Sequence, residues 1–444
     1  MSAPATGAAH PRTPWAGVRS ALVGRPLVRD VGLLTAANAV DAACSVVQGI
    51  VVARWLGPAR YGVAALAMAF PGLLFTFVDP RAADASVKYL GEFASRRDRE
   101  RASAVCTLGW GVDVLIALVA LALVGASAHV AAVHVVHAPE LAVPIVLFTA
   151  AFVPRALAGT STAALTTLGR FDLVAAATVA QGLLRCGLVL ALVHGGAGVG
   201  GVLYGNAAAF ALFGVALTAL AAPRIADAWG RAGVRRAWDA LAGHRRAIAG
   251  FLAWNDVNTL LGAVVKQMDL LLLGWLRGPA DAGYYRLAKS LAATLGLLVG
   301  PLQNATYPRF ARLAGLGRDA ELRAVARRAA VRVGLPLGAA VIVALPLVPT
   351  VVAAAVGETF LPAARAAQVV LAGGAAWLAG FWVRPYLMAA GRIRTFTHLY
   401  VASLVPYAVG VALLARTWGA TGMAIGFLGH NVVLFLLPAV GLLR

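Results

Sequence analysis

GVLYGNAAAFALFGVALTALAA, residues 201–222, contains no charged side chain. Wound as an α-helix at 1.5 Å per residue it is about 33 Å long, enough to cross the roughly 30 Å hydrocarbon core of a bilayer. Comparable apolar segments recur at 31–53, 61–85, 103–125, 141–166, 172–193, 249–273, 283–306, 331–352, 362–390, 396–415 and 420–443, and each reads as a transmembrane helix. Composition agrees. Of 444 residues 61% are hydrophobic and only 13% charged, with mean hydropathy +0.81, whereas a soluble domain is about a quarter charged. The expectation is an all-α integral membrane protein.

The net charge of +20 raises the question of a nucleic-acid partner. Such a binder gathers its Lys and Arg on one solvated domain, and no such domain is present. The basic residues fall instead into alternate connections: Arg96, Arg97, Arg99 and Arg101; Arg231, Arg235, Arg236, Arg245 and Arg246; Arg318, Arg323, Arg327 and Arg328. The connections at 126–140 and 194–200 carry no Lys or Arg. The positive-inside rule puts the basic connections in the cytoplasm, with both termini there too, in a bacterial inner membrane. Residues 1–28, rich in Ala, Pro, Gly and Arg, read as a disordered cytoplasmic tail without a signal peptide. Cys44, Cys106 and Cys186 lie inside apolar segments, so no disulfide framework is expected.

The chain repeats itself. Trp55, Gly57 and Pro58 of WLGPARYG return as Trp275, Gly278 and Pro279 of WLRGPADAGYY, an offset of 220 or 221. Pro80 and Pro301, Arg97-Asp98 and Arg318-Asp319, Glu100 and Glu321, and Gly201 and Gly422 keep that offset; Gly169-Arg170 and Gly391-Arg392 slip by one more. A duplication with an even number of spans per half predicts about 12 transmembrane helices in two six-helix bundles, related by a pseudo-two-fold axis along the membrane normal, around a central cavity. The halves are then 29–222 and 249–444, joined by a cytoplasmic linker at 223–248.

Polar groups within the apolar spans mark where transport chemistry would occur, because an ionised side chain at the bilayer centre costs roughly 2.5 to 3.5 kcal/mol on insertion scales. Asn255, Thr259, Gly262, Lys266 and Asp269 recur at three-and-four spacing, as do Thr35, Asn38, Asp41, Ser45 and Gln48, and Asn38 lies at the repeat offset from Asn258. Arg286, Lys289, Gly296, Gly300 and Gln303 make a further stripe, and Arg155, Arg185 and Arg384 add cations at depth. The bland alternative is structural: Lys266 paired with Asp269, or Arg286 reaching an interface. Deep cations outnumber deep acids in this reading. His129, His134 and His137 cluster in one connection without the accompanying ligands of a zinc site, so no metal is assigned. The Gly pairs and His430-Asn431 read as turn or packing residues.

No Gly-rich phosphate loop followed by Lys-Ser or Lys-Thr is present, and no stretch outside the apolar segments is large enough for a catalytic domain. The protein is therefore expected not to be an enzyme and to need no cofactor.

VVARWLGPARYGVAALA at 51–67, Asp79 to Glu92 with its VKYLGE ending, GPADAGYYRLAKSL at 278–291 and NATYPRFARL at 304–313 resemble the bacterial oligosaccharide and polysaccharide flippases of the multidrug, oligosaccharidyl-lipid and polysaccharide exporter superfamily. PRAADAS after Asp79 departs from the family's Gly-containing turn. The resemblance implies movement of an undecaprenyl-diphosphate-linked oligosaccharide from inner to outer leaflet by alternating access, for surface polysaccharide biosynthesis. Its partners would be the lipid-linked substrate, membrane lipids, and a glycan polymerase and glycosyltransferases. On that view Arg155, Arg185, Lys266, Arg286, Lys289 and Arg384 meet diphosphate while Asn38, Asn255, Asn258 and Gln303 meet sugars, with Asp41, Asp256 and Asp269 available for ion coupling. A cation-coupled multidrug exporter of the same superfamily is the nearest alternative, and a polytopic glycosyltransferase or ligase a more distant one.

Overall fold

The structure, a computed structural model, describes residues 25–79, 82–252 and 268–443, and the regular structure among them is helical throughout. The expected tail therefore lies almost wholly outside the described residues, as do Asn255, Asp256, Asn258, Thr259, Gly262 and Lys266.

Helix α1 (Arg25–Val78) holds both arms of the first expected pair of spans, broken at Gly57 with φ 72 and ψ 172. A side-chain-bearing residue resists that left-handed backbone, and Pro58 then restarts the helix from its favoured first position. The second arm ends at Val78 and not at 85, because a residue before proline, here Asp79, disfavours helical backbone. The chain continues through α2 (Ala82–Ser95), α3 (Arg99–Ala131), α4 (Ala142–Ala150), α5 (Phe152–Thr167), α6 (Phe171–Leu192) and α7 (Gly198–Trp229). Asp98 caps α3 by accepting from the Arg101 N–H at 3.0 Å. The linker carries the short α8 (Val234–Ala240) and is fastened to α3: Ser103 Oγ donates to the Gly230 carbonyl at 2.9 Å and Thr107 Oγ1 to that of Ala232 at 3.1 Å.

The second half runs α9 (Asp269–Arg277), α10 (Pro279–Gly315), α11 (Asp319–Ala329), α12 (Leu335–Ala344), α13 (Val348–Val356), α14 (Leu361–Ala379), α15 (Val383–Ala389), α16 (Ile393–Val409), α17 (Ala415–Asn431) and α18 (Leu437–Leu443). Its breaks mirror those of the first half. Gly278 has φ 86 where Gly57 has φ 72, and Gly419 (φ 52, ψ −128) matches Gly198 (φ 53, ψ −130).

Among the described residues, seven stretches are long and apolar enough to cross a membrane, by length and composition. Three of them, Gly32–Val78, Phe171–Trp229 and Ile393–Leu442, run 47, 59 and 50 residues, roughly 70, 88 and 75 Å if straight and more than twice a bilayer core. Their glycine breaks turn each into two arms. Added side chains show how the arms lie: one at Gly201 would meet Leu192 and one at Gly205 would meet Val189, so α6 and α7 pack antiparallel. The protein is a multi-pass integral membrane protein.

Three buried apolar clusters locate the contacts between halves. One joins both, through Tyr61, Leu66, Val136, Leu273, Tyr285 and Phe360. The second, around Phe93, Leu165 and Leu217, belongs to the first half, and the third, around Phe310, Phe381 and Trp382, to the second half. The halves thus meet at the end carrying Gly57 and Gly278 and part toward the end carrying the basic connections. At the meeting end the approach is reciprocal: a Cβ at Gly62 would overlap the Pro279 carbonyl, and one at Gly283 the Pro58 carbonyl. Only hydrogen at both positions lets α1 and α10 cross backbone to backbone. His137 adds a bridge, its Nε2 lying 3.1 Å from the Gly274 carbonyl oxygen.

Candidate functional site

Beneath that seal is a cavity of about 900 Å³, lined by α1 to α7 and, from the second half, by Leu270, Arg286 and Lys289 among the described residues. Among the described residues the first half supplies most of the cavity wall.

Two long helices and a short one carry the cations. Arg155 sits one turn into α5, its guanidinium 4.0 Å from the centre of the Phe210 ring on α7, with Nη1 buried and without a hydrogen-bond partner. Gly214 makes this possible, since a side chain there would overlap the Pro154 carbonyl. Arg286 and Lys289 lie one turn apart on α10 and both face the cavity; Arg286 interacts with the Tyr61 phenol. Arg185 on α6 is an ion-pair partner of Asp41 at 2.9 Å, with side-chain exposures of 15% and 31%, and also meets Ser45. Lys289 Nζ lies 2.6 Å from Oδ2 of Asp269, which is fully buried. Tyr285 Oη donates to the same oxygen at 2.7 Å, and the Leu270 N–H to the other at 2.7 Å.

Four expected cations thus reach the cavity wall: Arg155, Arg185, Arg286 and Lys289. Three other expected residues are not on the cavity wall. Arg384 is exposed on α15, above the Phe396 ring at 5.9 Å and away from the cavity. Gln303 donates to the Phe381 carbonyl at 3.2 Å, a group freed where the expected tenth span breaks between α14 and α15. It shares a three-and-four stripe with Arg286, yet 17 residues of 3.6-per-turn helix leave the two pointing about 100° apart. Asn38 is exposed, two turns before Ser45 on the same face of α1 and outside the cavity. Of the acids, Asp41 and Asp269 are held by cations, and Asp256 lies outside the described residues.

On the described cavity wall the excess of cations over acids narrows to four against three. Asp79, Asp84 and Asp113 line the cavity as well. Asp113 is 6% exposed and accepts from Thr160 Oγ1 at 2.7 Å, with Ser86 Oγ a further 3.4 Å away. No cation pairs with it among the described residues. Asp113 and Asn206 belong to no polar stripe in the sequence, although Asp113 is the one charged residue between 103 and 125 and Asn206 the one amide between 201 and 222. The described cavity wall accordingly carries guanidinium groups without a carboxylate ion pair, at Arg155 and Arg286, as well as carboxyl groups at Asp79, Asp84 and Asp113.

The sequence profile of the family described as polysaccharide biosynthesis protein matches residues 27–314. The chain belongs to that family. Its fold is that of a group of membrane transporters. An inward-facing multidrug resistance MATE family transporter of the MOP superfamily superposes with a TM-score of 0.72 at 12% identity, over 90% of this chain and 94% of that one. The lipid II flippase MurJ in an inward closed conformation gives 0.70 at 11% identity, over 93% and 86%. A MOP superfamily transporter from Pyrococcus furiosus, described as having a binding pocket of reverse polarity, gives 0.62 at 15% identity, over 95% and 97%. None of the curated proteins matches in sequence. The family is one of polysaccharide biosynthesis, and the likeness to these structures shows the fold that the chain shares with them.

Proposed function

We propose that this family member flips an undecaprenyl-diphosphate-linked oligosaccharide from the inner to the outer leaflet of a bacterial plasma membrane, by alternating access. The architecture in this reading is about 12 spans in two six-helix bundles, 29–222 and 249–444, joined by the linker at 223–248, with both termini cytoplasmic. The paired glycine breaks support the duplication. The exposed Trp55, Trp275 and Trp418, 48%, 56% and 60% accessible, support an outer interfacial belt beside the sealed end.

The observation that carries the substrate reading is a pair of guanidinium groups, Arg155 and Arg286, facing a cavity of about 900 Å³ with no carboxylate ion-paired to either among the described residues. Arginine matches phosphate oxygens in charge and geometry. A volume near the top of the range for drug-sized ligands, about 300 to 1,000 Å³, accommodates a diphosphate with its first sugars while the polyprenyl tail stays in lipid. An inside-negative potential of about 100 mV favours outward movement of each negative charge by about 2.3 kcal/mol. A glycan polymerase and glycosyltransferases would act before and after this step.

The acids of the cavity wall favour a second reading, export of cationic drugs, because Asp79, Asp84 and Asp113 line the same space. Proteoliposomes decide between them. Protein reconstituted with a fluorescent undecaprenyl-diphosphate oligosaccharide should make that lipid accessible in the opposite leaflet and leave a cationic dye gradient untouched. Dye export without lipid movement would reverse the assignment.

A further inference from the structure

We infer that a pocket between the α2–α3 turn and the end of α7 binds the phosphate of an anionic phospholipid from the cytoplasmic leaflet, held by Arg97, Arg99 and Trp229. From the proposed function this site takes only the orientation, with the basic connections cytoplasmic, and it serves whichever substrate crosses.

Four helices of the chain end in the same way. Just past their last turns, Arg97, Gly169, Gly317 and Gly391 have φ of 58, 72, 66 and 70. In each case the N–H of that residue bonds to the carbonyl three residues earlier, and the next N–H bonds five residues back, to Phe93, Leu165, Leu313 and Leu387 respectively. That left-handed position favours glycine, and three of the four turns have it. The α2–α3 turn instead places a long charged side chain there, although its counterpart at the repeat offset is Gly317. A strained backbone of this kind points to a use for the side chain it carries.

Arg97 lines a pocket of about 320 Å³ together with Ala94, Asp98, Arg99, Ala228 and Trp229. That volume is at the lower end for small-molecule sites, about 300 to 1,000 Å³. Neither Arg97 nor Arg99 has an ion pair among the described residues. The acid beside them is already engaged, since Asp98 accepts from the Arg101 N–H at 3.0 Å and pairs with the Arg101 guanidinium at 3.1 Å. Two guanidinium groups without a carboxylate match a phosphate in charge and geometry. The surface beside the pocket suits a lipid. The linker leaves Trp229, passes along the first turns of α3 and brings Arg236 Nε to Glu100 at 3.0 Å, next to Arg99. On α8, Val234 and Trp238 are exposed one turn apart, and the Arg245 guanidinium lies 4.1 Å from the centre of the Trp238 ring. Apolar side chains exposed among arginines at the end of the spans fit the boundary between head groups and acyl chains. A free phosphate has no use for that apolar surface, whereas anionic lipids of the cytoplasmic leaflet attract basic segments beside it.

The full-length protein in detergent, titrated with phosphatidylglycerol or phosphatidylcholine and weighed intact by native mass spectrometry, gives the affinity for the first molecule of each lipid bound. Phosphatidylglycerol should bind more tightly than phosphatidylcholine. Arg99→Gln should weaken it by about fivefold, the contribution of one arginine near an anionic surface. Arg97→Gly removes the charge and the strain together, so its unfolding temperature without added lipid should hold or rise while phosphatidylglycerol binding falls by about fivefold. Arg323→Gln, in the basic connection of the second half, should leave the affinity unchanged. Equal affinity for the two lipids, undiminished binding by Arg97→Gly, or a like fall in Arg323→Gln would overturn the inference. Displacement of the lipid by glycerol 3-phosphate at equal concentration would also overturn it, since the site would then take a free phosphate. None of these results reads flipping, so the proposed function stands or fails separately.

Discussion

Replacing Arg155 with methionine separates a binding role from a structural one. The guanidinium is buried against Phe210 with one N–H group lacking a partner, so removing it relieves a desolvation cost of about 1–3 kcal/mol and forfeits a cation–π contribution of about 0.5–2 kcal/mol. Methionine, unbranched and apolar, fills the space beside the ring. The net effect on stability should stay within about 1 kcal/mol of zero, on the stabilising side. Against a phosphate, the same group contributes a charge-assisted hydrogen bond of about 1.5–3 kcal/mol, which corresponds to about 10- to 150-fold in affinity. Arg155→Met should therefore unfold at an unchanged or higher temperature in nanodiscs and, in proteoliposomes below saturation, flip the lipid-linked oligosaccharide at least about tenfold more slowly. Normal flipping at normal stability would refute the placement of the head group. A parallel fall in both would reassign Arg155 to the fold.

Three further outcomes follow from the geometry. Gly62→Ala should force the Pro279 carbonyl away and cost about 1–3 kcal/mol, read as a lower unfolding temperature together with new labelling of a cysteine placed near the sealed end; unchanged values for both would contradict the close crossing. Asp113→Asn keeps the acceptor for Thr160 while removing a buried carboxyl group, so stability should hold or rise and lipid flipping persist, whereas dye export by the unaltered protein that this variant loses would favour the drug reading. Ser103→Ala combined with Thr107→Val removes the two bonds fastening the linker, at about 1 kcal/mol each, and should raise amide exchange at 230–240 without altering substrate affinity.

Much of the architecture is legible in one dimension because the bilayer imposes it. Apolar runs such as 201–222 announce crossings, and the Gly-Pro turns at 57–58 and 278–279 announce where the chain reverses, since few residues accept those backbone angles. Cations at Arg155, Arg185, Arg286 and Lys289 stand out against their apolar surroundings. What the sequence hides is direction and partnership. Arg185 and Asp41 are 144 positions apart, and nothing local says that the pair meets, or that Asp269 consumes the charge of Lys289. Stripes at three-and-four spacing drift around a helix, which is why Arg286 reaches the cavity and Gln303 does not. A break between α14 and α15 turns Arg384 away from its expected direction. Asp113 is not legible as a cavity residue because a single acid makes no pattern, and its partner Thr160 comes from another helix.

A structure of the protein with a bound prenyl diphosphate, solved by electron cryomicroscopy in lipid nanodiscs, tests the central claim most directly. The expected result is density for the diphosphate at Arg155 and Arg286, with the polyprenyl chain leaving toward lipid. Diphosphate density on the lipid-facing surface or among the basic connections, with the cavity side chains arranged as they are here, would contradict it.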